Sequence, residues 1–294
     1  MTAPQAWWLS KTGKVAAPVT GPLTHTTTAG LFGFGAGVLP YTWTNAEAQA
    51  YWDAGVAAGA TGGTDADRAR IDTLYTSLKA VGLSKIPYGG LFATYHQAAG
   101  LQDLKNSGVP HLIVGGITFT AYQGFKGNGT NGYLRRNDSA TWATMIGGAA
   151  VADWGALAGI YEAGGSPSYS MGLNGAGGLN NALILTGTPN VQARAGTATP
   201  VIIAAAGTYP TRIAVNRLAG GGTVELFQNE TSLGTAAQAF TANNAVDAYS
   251  LLRANTVYAT NRLTFAVVLL NATQANVIAI STAFETYLTA VGAG

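Results

Sequence analysis

From about residue 144 to residue 270 the chain is a succession of short apolar or alternating runs punctuated by Gly, Asn or Pro. The runs are Thr144–Asp153, Gly159–Ala163, Ser168–Gly172, Asn181–Leu185, Asn190–Arg194, Pro200–Ala206, Arg212–Arg217, Thr223–Gln228, Leu233–Ala237, Ala248–Leu252 and Arg262–Leu270. Runs this short cannot carry an amphipathic helix of ordinary length. Many short strands joined by turns are what a β-sandwich or barrel requires. Asn229-Glu230-Thr231-Ser232 reads as a hairpin turn. Arg262–Leu270 contains the apolar run Phe265–Leu270 and is apolar enough for a central strand covered on both faces.

The flanks differ. Residues 1–44 show neither period; they are rich in Trp, Phe and Gly, and no charge occurs between Lys14 and Glu47. Such an arm cannot bury its aromatic surface on itself, so it is expected to lie against its own domain, a sister subunit or a docking platform. Asn45 to Gly59 reads as a short helix capped by Asn45. Asp65 to Val81 reads as a stronger one, with a Thr64/Asp67 start, a stripe of Ile71, Leu74, Tyr75 and Leu78, and Gly82 at its end. Gly115 to Tyr122 reads as a strand. A last helix begins after Asn271 as its cap and buries Val277, Ile280, Phe284, Tyr287, Leu288 and Val291. The implied division is an arm at 1–44, a helical segment at 45–83 and a β domain at 84–294.

Composition limits the chemistry. Only 10% of residues are charged and the net charge is +2, so no basic patch for nucleic acid exists beyond the pair Arg135-Arg136. Cysteine is absent, which removes disulfides and thiolate ligands. No window is apolar enough to cross a membrane, and the first residues lack the pattern of a secretory signal. Gly127-Asn128-Gly129-Thr130-Asn131-Gly132 satisfies G-x-G-x-x-G, but Tyr133-Leu134-Arg135-Arg136 follows where a nucleotide fold needs a helix. A hairpin with glycines at positive φ is the expected structure, with no cofactor.

His25, His96 and His111 have no metal-ligand spacing, and the acids are few and scattered: Asp65 with Asp67, Asp153 with Glu162, Glu225 with Glu230. Glycosidases of the two-carboxylate type need a close pair, which local spacing does not provide; the expectation is therefore no catalytic residue and no enzyme. Asp138 with Asn137 and Asp153 is the one place to look for calcium, and no metal is expected there. Trp142, Trp154, Tyr161, Tyr169, Tyr209 and Tyr258 lie near predicted turns or strand ends, where a ring either packs or stacks on a sugar.

Three segments carry a resemblance. They are Ile71 to Leu83 followed by Gly90-Leu91-Phe92-Ala93; Phe125-Lys126-Gly127-Asn128-Gly129-Thr130-Asn131-Gly132-Tyr133-Leu134; and Tyr249 to Asn255 with Arg262-Leu263-Thr264-Phe265-Ala266 and the closing helix. In these the chain resembles bacteriophage and prophage virion proteins with a concanavalin A-like (laminin-G/jelly-roll) domain. The resemblance implies a mainly β fold: a concanavalin A-like antiparallel β-sandwich with an N-terminal extended arm, short N-terminal helices and a C-terminal helix.

It also implies a structural protein of a tailed-phage virion, a tail fibre, spike or tip subunit whose lectin-like sandwich binds host surface glycan. The arm would dock on other virion proteins, and the assembly would be a homo-oligomer, a trimer by analogy with phage fibres. Alternatives are a head decoration protein without a receptor role and a polysaccharide depolymerase using carboxylates from distant strands. A secreted lectin is disfavoured by the missing signal.

Overall fold

In the computed structural model the described residues are 41–148, 150–165, 168–174, 183–186, 190–194, 201–204, 208–217, 222–237, 240, 248–254 and 257–294. The chain divides into two compact units, 1–40 and 41–294, and the first lies outside the described residues, as does most of the expected arm with His25.

In chain order the second unit comprises α1 (Ala46–Ala57), α2 (Asp65–Val81), β1 (Tyr88–Leu91), α3 (Gln97–Gly100), β2 (His111–Val114), β3 (Ile117–Thr120), β4 (Gly124–Gly127), β5 (Tyr133–Arg136), α4 (Trp142–Ile146), β6 (Trp154–Glu162) and β7 (Ser168–Asn174). It continues with β8 (Leu183–Thr186), β9 (Asn190–Arg194), β10 (Val201–Ala204), β11 (Thr211–Arg217), β12 (Thr223–Gln228), β13 (Thr231–Ala237), β14 (Ala248–Leu251), β15 (Arg253–Ala254), β16 (Val257–Tyr258), β17 (Arg262–Leu270) and α5 (Gln274–Ala290).

All strand pairings are antiparallel. One sheet runs β13-β12-β11-β6-β17-β4-β3, with β1 also on β17; the other runs β10-β9-β8-β7-β14-β5-β2, and β15 with β16 forms a small ribbon. The sheets face each other across a shared core. Leu134, Met171, Tyr249 and Leu251 of the second sheet meet Ala156, Ala158, Ile160, Ile213, Val215, Leu226, Leu263 and Val268 of the first. The protein is thus a mainly β, antiparallel β-sandwich.

The first sheet is covered on its other face by helices. Leu157, Ala214, Phe227, Phe265, Val267 and Leu269 pack against Ile71, Leu74 and Leu78 of α2 and Val277, Ile280, Phe284 and Leu288 of α5. Phe265 and Phe284 stack at 4.0 Å with 3° between their planes. Two-sided burial is why β17 reads as an apolar run from Phe265 to Leu270: its side chains alternate between the two cores. A register irregularity between Leu263 and Phe265 re-phases that alternation.

Local chemistry explains the ends of elements. Thr64 and Asp67 form a reciprocal capping box at α2, and Gly82 closes it with φ 102°. Asn229 and Glu230, at φ 46° and 64°, make the two-residue turn between β12 and β13.

Three expectations change. The run Thr144–Asp153 is not a strand: the Thr141 hydroxyl accepts from the Thr144 N–H and starts α4, which Gly147 ends in the left-handed region. The cap of α5 is Thr273, in a box with Asn276; Asn271 instead sits at φ 49° in the turn before it. Asn45 precedes α1 without capping it through its side chain, which is committed to Asp72. Among the described residues no helix is long and apolar enough to cross a membrane.

Candidate functional site

The G-x-G-x-x-G stretch does not make the expected hairpin between paired strands. It carries the chain from β4 in the first sheet to β5 in the second. Asn128 organises it: its Oδ1 accepts the N–H groups of Thr130, Asn131 and Gly132 at 3.0, 3.0 and 2.8 Å, and its Nδ2 donates to Asn131 Oδ1 at 2.7 Å. Close backbone approach makes glycine necessary. A β-carbon on Gly127 would run into the Ala259 carbonyl oxygen, and one on Gly132 into that of Gly116. Gly129 N–H in turn donates to the Ala259 carbonyl at 3.1 Å. The loop is thereby pinned beside the residues that follow β16.

This crossover sets the first residue of a side-chain cluster on the outer face of the second sheet. Leu134 points into the core, so Tyr133 and Arg135 point outward. The ribbon of β15 and β16 folds over the same face and brings Arg253 and Tyr258 to Tyr133. The Arg253 guanidinium lies 4.6 Å from the Tyr133 ring centre and 5.0 Å from that of Tyr258. The two rings are 6.2 Å apart, tilted by 47°. All three side chains are half-buried. Ribbon and sheet are tied together by the Ser250 hydroxyl, which donates to the Arg253 carbonyl at 3.1 Å, and by the Leu252 carbonyl, which accepts from Ala259 N–H at 2.8 Å. The result is an aromatic and cationic platform with amide side chains on the adjoining loop. Half-buried rings present one apolar face to a ligand, and a stacked guanidinium presents planar donors.

The remaining sequence candidates fall elsewhere. Trp142 and Trp154 are not at the surface: both are fully buried, edge to face at 4.8 Å, between the sheets. Tyr209 and Tyr161 are half-buried packing residues on the inter-sheet and helix-side cores, and the side chain of Tyr169 lies outside the described residues. Asp138 is held by Arg136 through two hydrogen bonds of 3.0 and 2.7 Å. Among the described residues no three His, Asp or Glu side chains converge as a metal site would need.

His96 accepts from the Ala98 N–H at the start of α3. His111 is buried, its Nδ1 on the Leu101 carbonyl at 3.1 Å and its Nε2 on the Tyr88 hydroxyl. Burial drives its pKa down to about 4, helped by the charge of Arg136 and opposed by the Leu101 hydrogen bond. It is a neutral structural group. Of the platform, the sequence singled out Tyr258 alone. Tyr133 and Arg253 stand 120 positions apart in the chain, and only the outward phase of β5 marks Tyr133 beforehand.

No protein-family profile and no curated protein matches the sequence. Solved structures do match by shape. Trypanosoma rangeli sialidase in complex with sialic acid superposes with a TM-score of 0.50 at 11% identity, over 74% of this chain and 39% of the sialidase. The same enzyme with a 2,3-difluoro-KDN ligand gives 0.51 at 10%, over 75% and 39%. A CBM40 domain of a Ruminococcus gnavus IT-sialidase, bound to alpha2,3 sialyllactose, gives 0.37 at 14%, over 45% and 84%. The sialidase likeness shows the fold, and the chain spans 39% of the sialidase it matches.

One expectation is overturned here. The sequence reading excluded an enzyme, and an enzyme, the Trypanosoma rangeli sialidase, is among the solved structures that share this fold. The exclusion rested on the lack of closely spaced acids, and local spacing does not decide the matter. Acids distant in sequence meet in this fold: Glu230 of the β12–β13 turn and Glu285 of α5 both pair with Arg212 of β11. Burial alone would raise the Glu230 carboxyl, but hydrogen bonds from Arg212 and Ser281 outweigh it and hold the pKa below the usual range.

Proposed function

We propose that the protein is a saccharide-binding β-sandwich displayed on a phage particle, with the Tyr133–Arg253–Tyr258 platform as its binding face. The observation that carries the binding role is the packing of one guanidinium against two adjacent, half-buried tyrosine rings on the outer face of a sheet. Ring faces take the apolar face of a pyranose, while the guanidinium and the Asn128 and Asn131 amides lie at its hydroxyls. The virion role is supported by the resemblance in the segments around Phe125–Leu134 and Tyr249–Ala266, and by a surface with few charges, which suits a packed assembly. In this reading the subunit belongs to a fibre, spike or tip, is homo-oligomeric, and docks through residues 1–44.

Two experiments test this reading. On an array of bacterial surface glycans the full chain is expected to retain a defined subset, and Tyr258→Ala is expected to lose it at least tenfold. Equal retention by both proteins would remove the platform from the account. Antibody labelling of assembled particles is expected at the tail; labelling of the capsid would replace the fibre assignment by a head decoration protein.

A further inference from the structure

We infer that the saccharide bound at this face carries a carboxylate, and that Arg135 reads it; the inference rests on the saccharide-binding reading above. Arg135 lies two residues beyond Tyr133 on β5, on the same outward face, about 7 Å along the strand. It stands opposite Ser250, whose hydroxyl holds the backbone of Arg253. Arg135 is therefore the next side chain on the platform. Its Nη1 donates to the Ser139 hydroxyl at 3.1 Å. Its Nε is shielded from solvent and has no hydrogen-bond partner.

Other arginines of the described residues make the contrast. Arg68, Arg70, Arg136, Arg212 and Arg262 each pair with a carboxylate of the protein: Asp65, Asp67, Asp138, Glu230 and Glu162 respectively. Arg135 makes no ion pair among the described residues. A charged donor withdrawn from water without an acceptor costs free energy. Nη1 holds the Ser139 hydroxyl at the exposed side and the guanidinium has no carboxylate partner, so its outer N–H groups are left to donate to the oxygens of a ligand carboxylate. Ser139 restrains that end of the guanidinium. Ser139 itself sits at φ 54°, a conformation a serine seldom adopts, which places its hydroxyl under Arg135. Arg253 packs on the ring of Tyr133, two residues from Arg135 on the strand, so a ligand on this face meets guanidinium groups alongside aromatic rings, the layout for a sugar bearing an acidic group.

Isothermal titration of the full chain tests this, using an oligogalacturonate against its carboxyl-reduced form and sialyllactose against lactose. At least one acidic member is expected to bind ten or more times tighter than its neutral partner, and the pair that responds separates a uronate from a sialate. Arg135→Gln is expected to abolish that preference, and amide hydrogen exchange of β6 and β17 matching the wild type reports that the variant is folded. Arg135→Lys keeps the charge without the planar guanidinium and is expected to restore only part of the preference. If the wild type binds acid and neutral members alike, and Tyr258→Ala loses both, the acidic inference falls and the saccharide reading stands. If none of the four ligands binds, both fall. An acidic preference that survives in Arg135→Gln would overturn the role of Arg135.

Discussion

The Asp72 carboxylate takes two hydrogen bonds from Asn45, one from its backbone N–H and one from its side-chain amide, each 2.9 Å. The other oxygen accepts the Thr44 N–H at 2.8 Å, the Thr44 hydroxyl and the Tyr41 hydroxyl. One buried acid on α2 thus fixes the point at which the chain enters the helix layer. Burial would raise its pKa, yet the bonds from Thr44 and Asn45 dominate and bring it to about 2.

Removing that acid should release the entry segment before the sandwich. Asp72→Ala leaves several buried donors unpaired and is expected to cost roughly 3 kcal/mol. Amide hydrogen exchange should show residues 41–45 losing protection while β6 and β17 keep theirs. Because the folded pKa lies below the unfolded one, the wild-type contribution is complete above about pH 4 and fades as pH falls through about 2. The Asp72→Ala protein should lack that acid-dependent loss.

His111 titrates in a different window. Its folded pKa of about 4 lies below the ordinary value of 6.5, so the unfolded chain binds the proton more readily between those pH values. Stability is expected to be level above pH 6.5 and to fall as pH drops toward 4, by about 3 kcal/mol in total. Urea titrations across this range check it: the His111→Gln protein should show a shallower pH slope than the wild type. Parallel slopes would mean that another group controls the acid side.

Gly127 at the crossover and Gly108 in the loop before β2 should differ by what surrounds them. Gly127→Ala forces a methyl against the Ala259 carbonyl and is expected to cost roughly 3 kcal/mol or more. Gly108→Ala meets open space at an ordinary backbone angle and should be neutral within about 0.5 kcal/mol. Thermal melts of the two variants decide between a packing role for Gly127 and a merely flexible loop.

The network between β11, the β12–β13 turn and α5 should behave as one unit. Glu230→Gln leaves the buried Arg212 with Glu285 alone and is expected to lower stability by about 2 kcal/mol. A double change with Glu285→Gln leaves Arg212 without an acid and should cost more than the sum of the two single changes, measured by urea unfolding.

Much of this architecture is legible in the chain. The α2 stripe and its capping box mark the helix at 65–81, and the unbroken apolar run at 265–270 announces a strand buried on both faces. The stretch at 142–146 misleads, since a one-turn helix capped by Thr141 leaves no period to detect. The site was harder to see. Tyr133 and Arg253 meet only after the chain has crossed between sheets and returned through β14. The pairing of Glu230 with Arg212 and Glu285 likewise depends on the packing of α5 over the first sheet, which no local spacing encodes.

The most direct measurement of the central claim is a titration of the full chain, carrying labelled tyrosines, with the glycan that the array selects. The ring resonances of Tyr133 and Tyr258 are expected to shift together and saturate with one affinity, while those of the buried Tyr51 and Tyr75 stay fixed. Shifts that leave Tyr133 and Tyr258 unmoved while the glycan binds would place the site elsewhere and contradict the account.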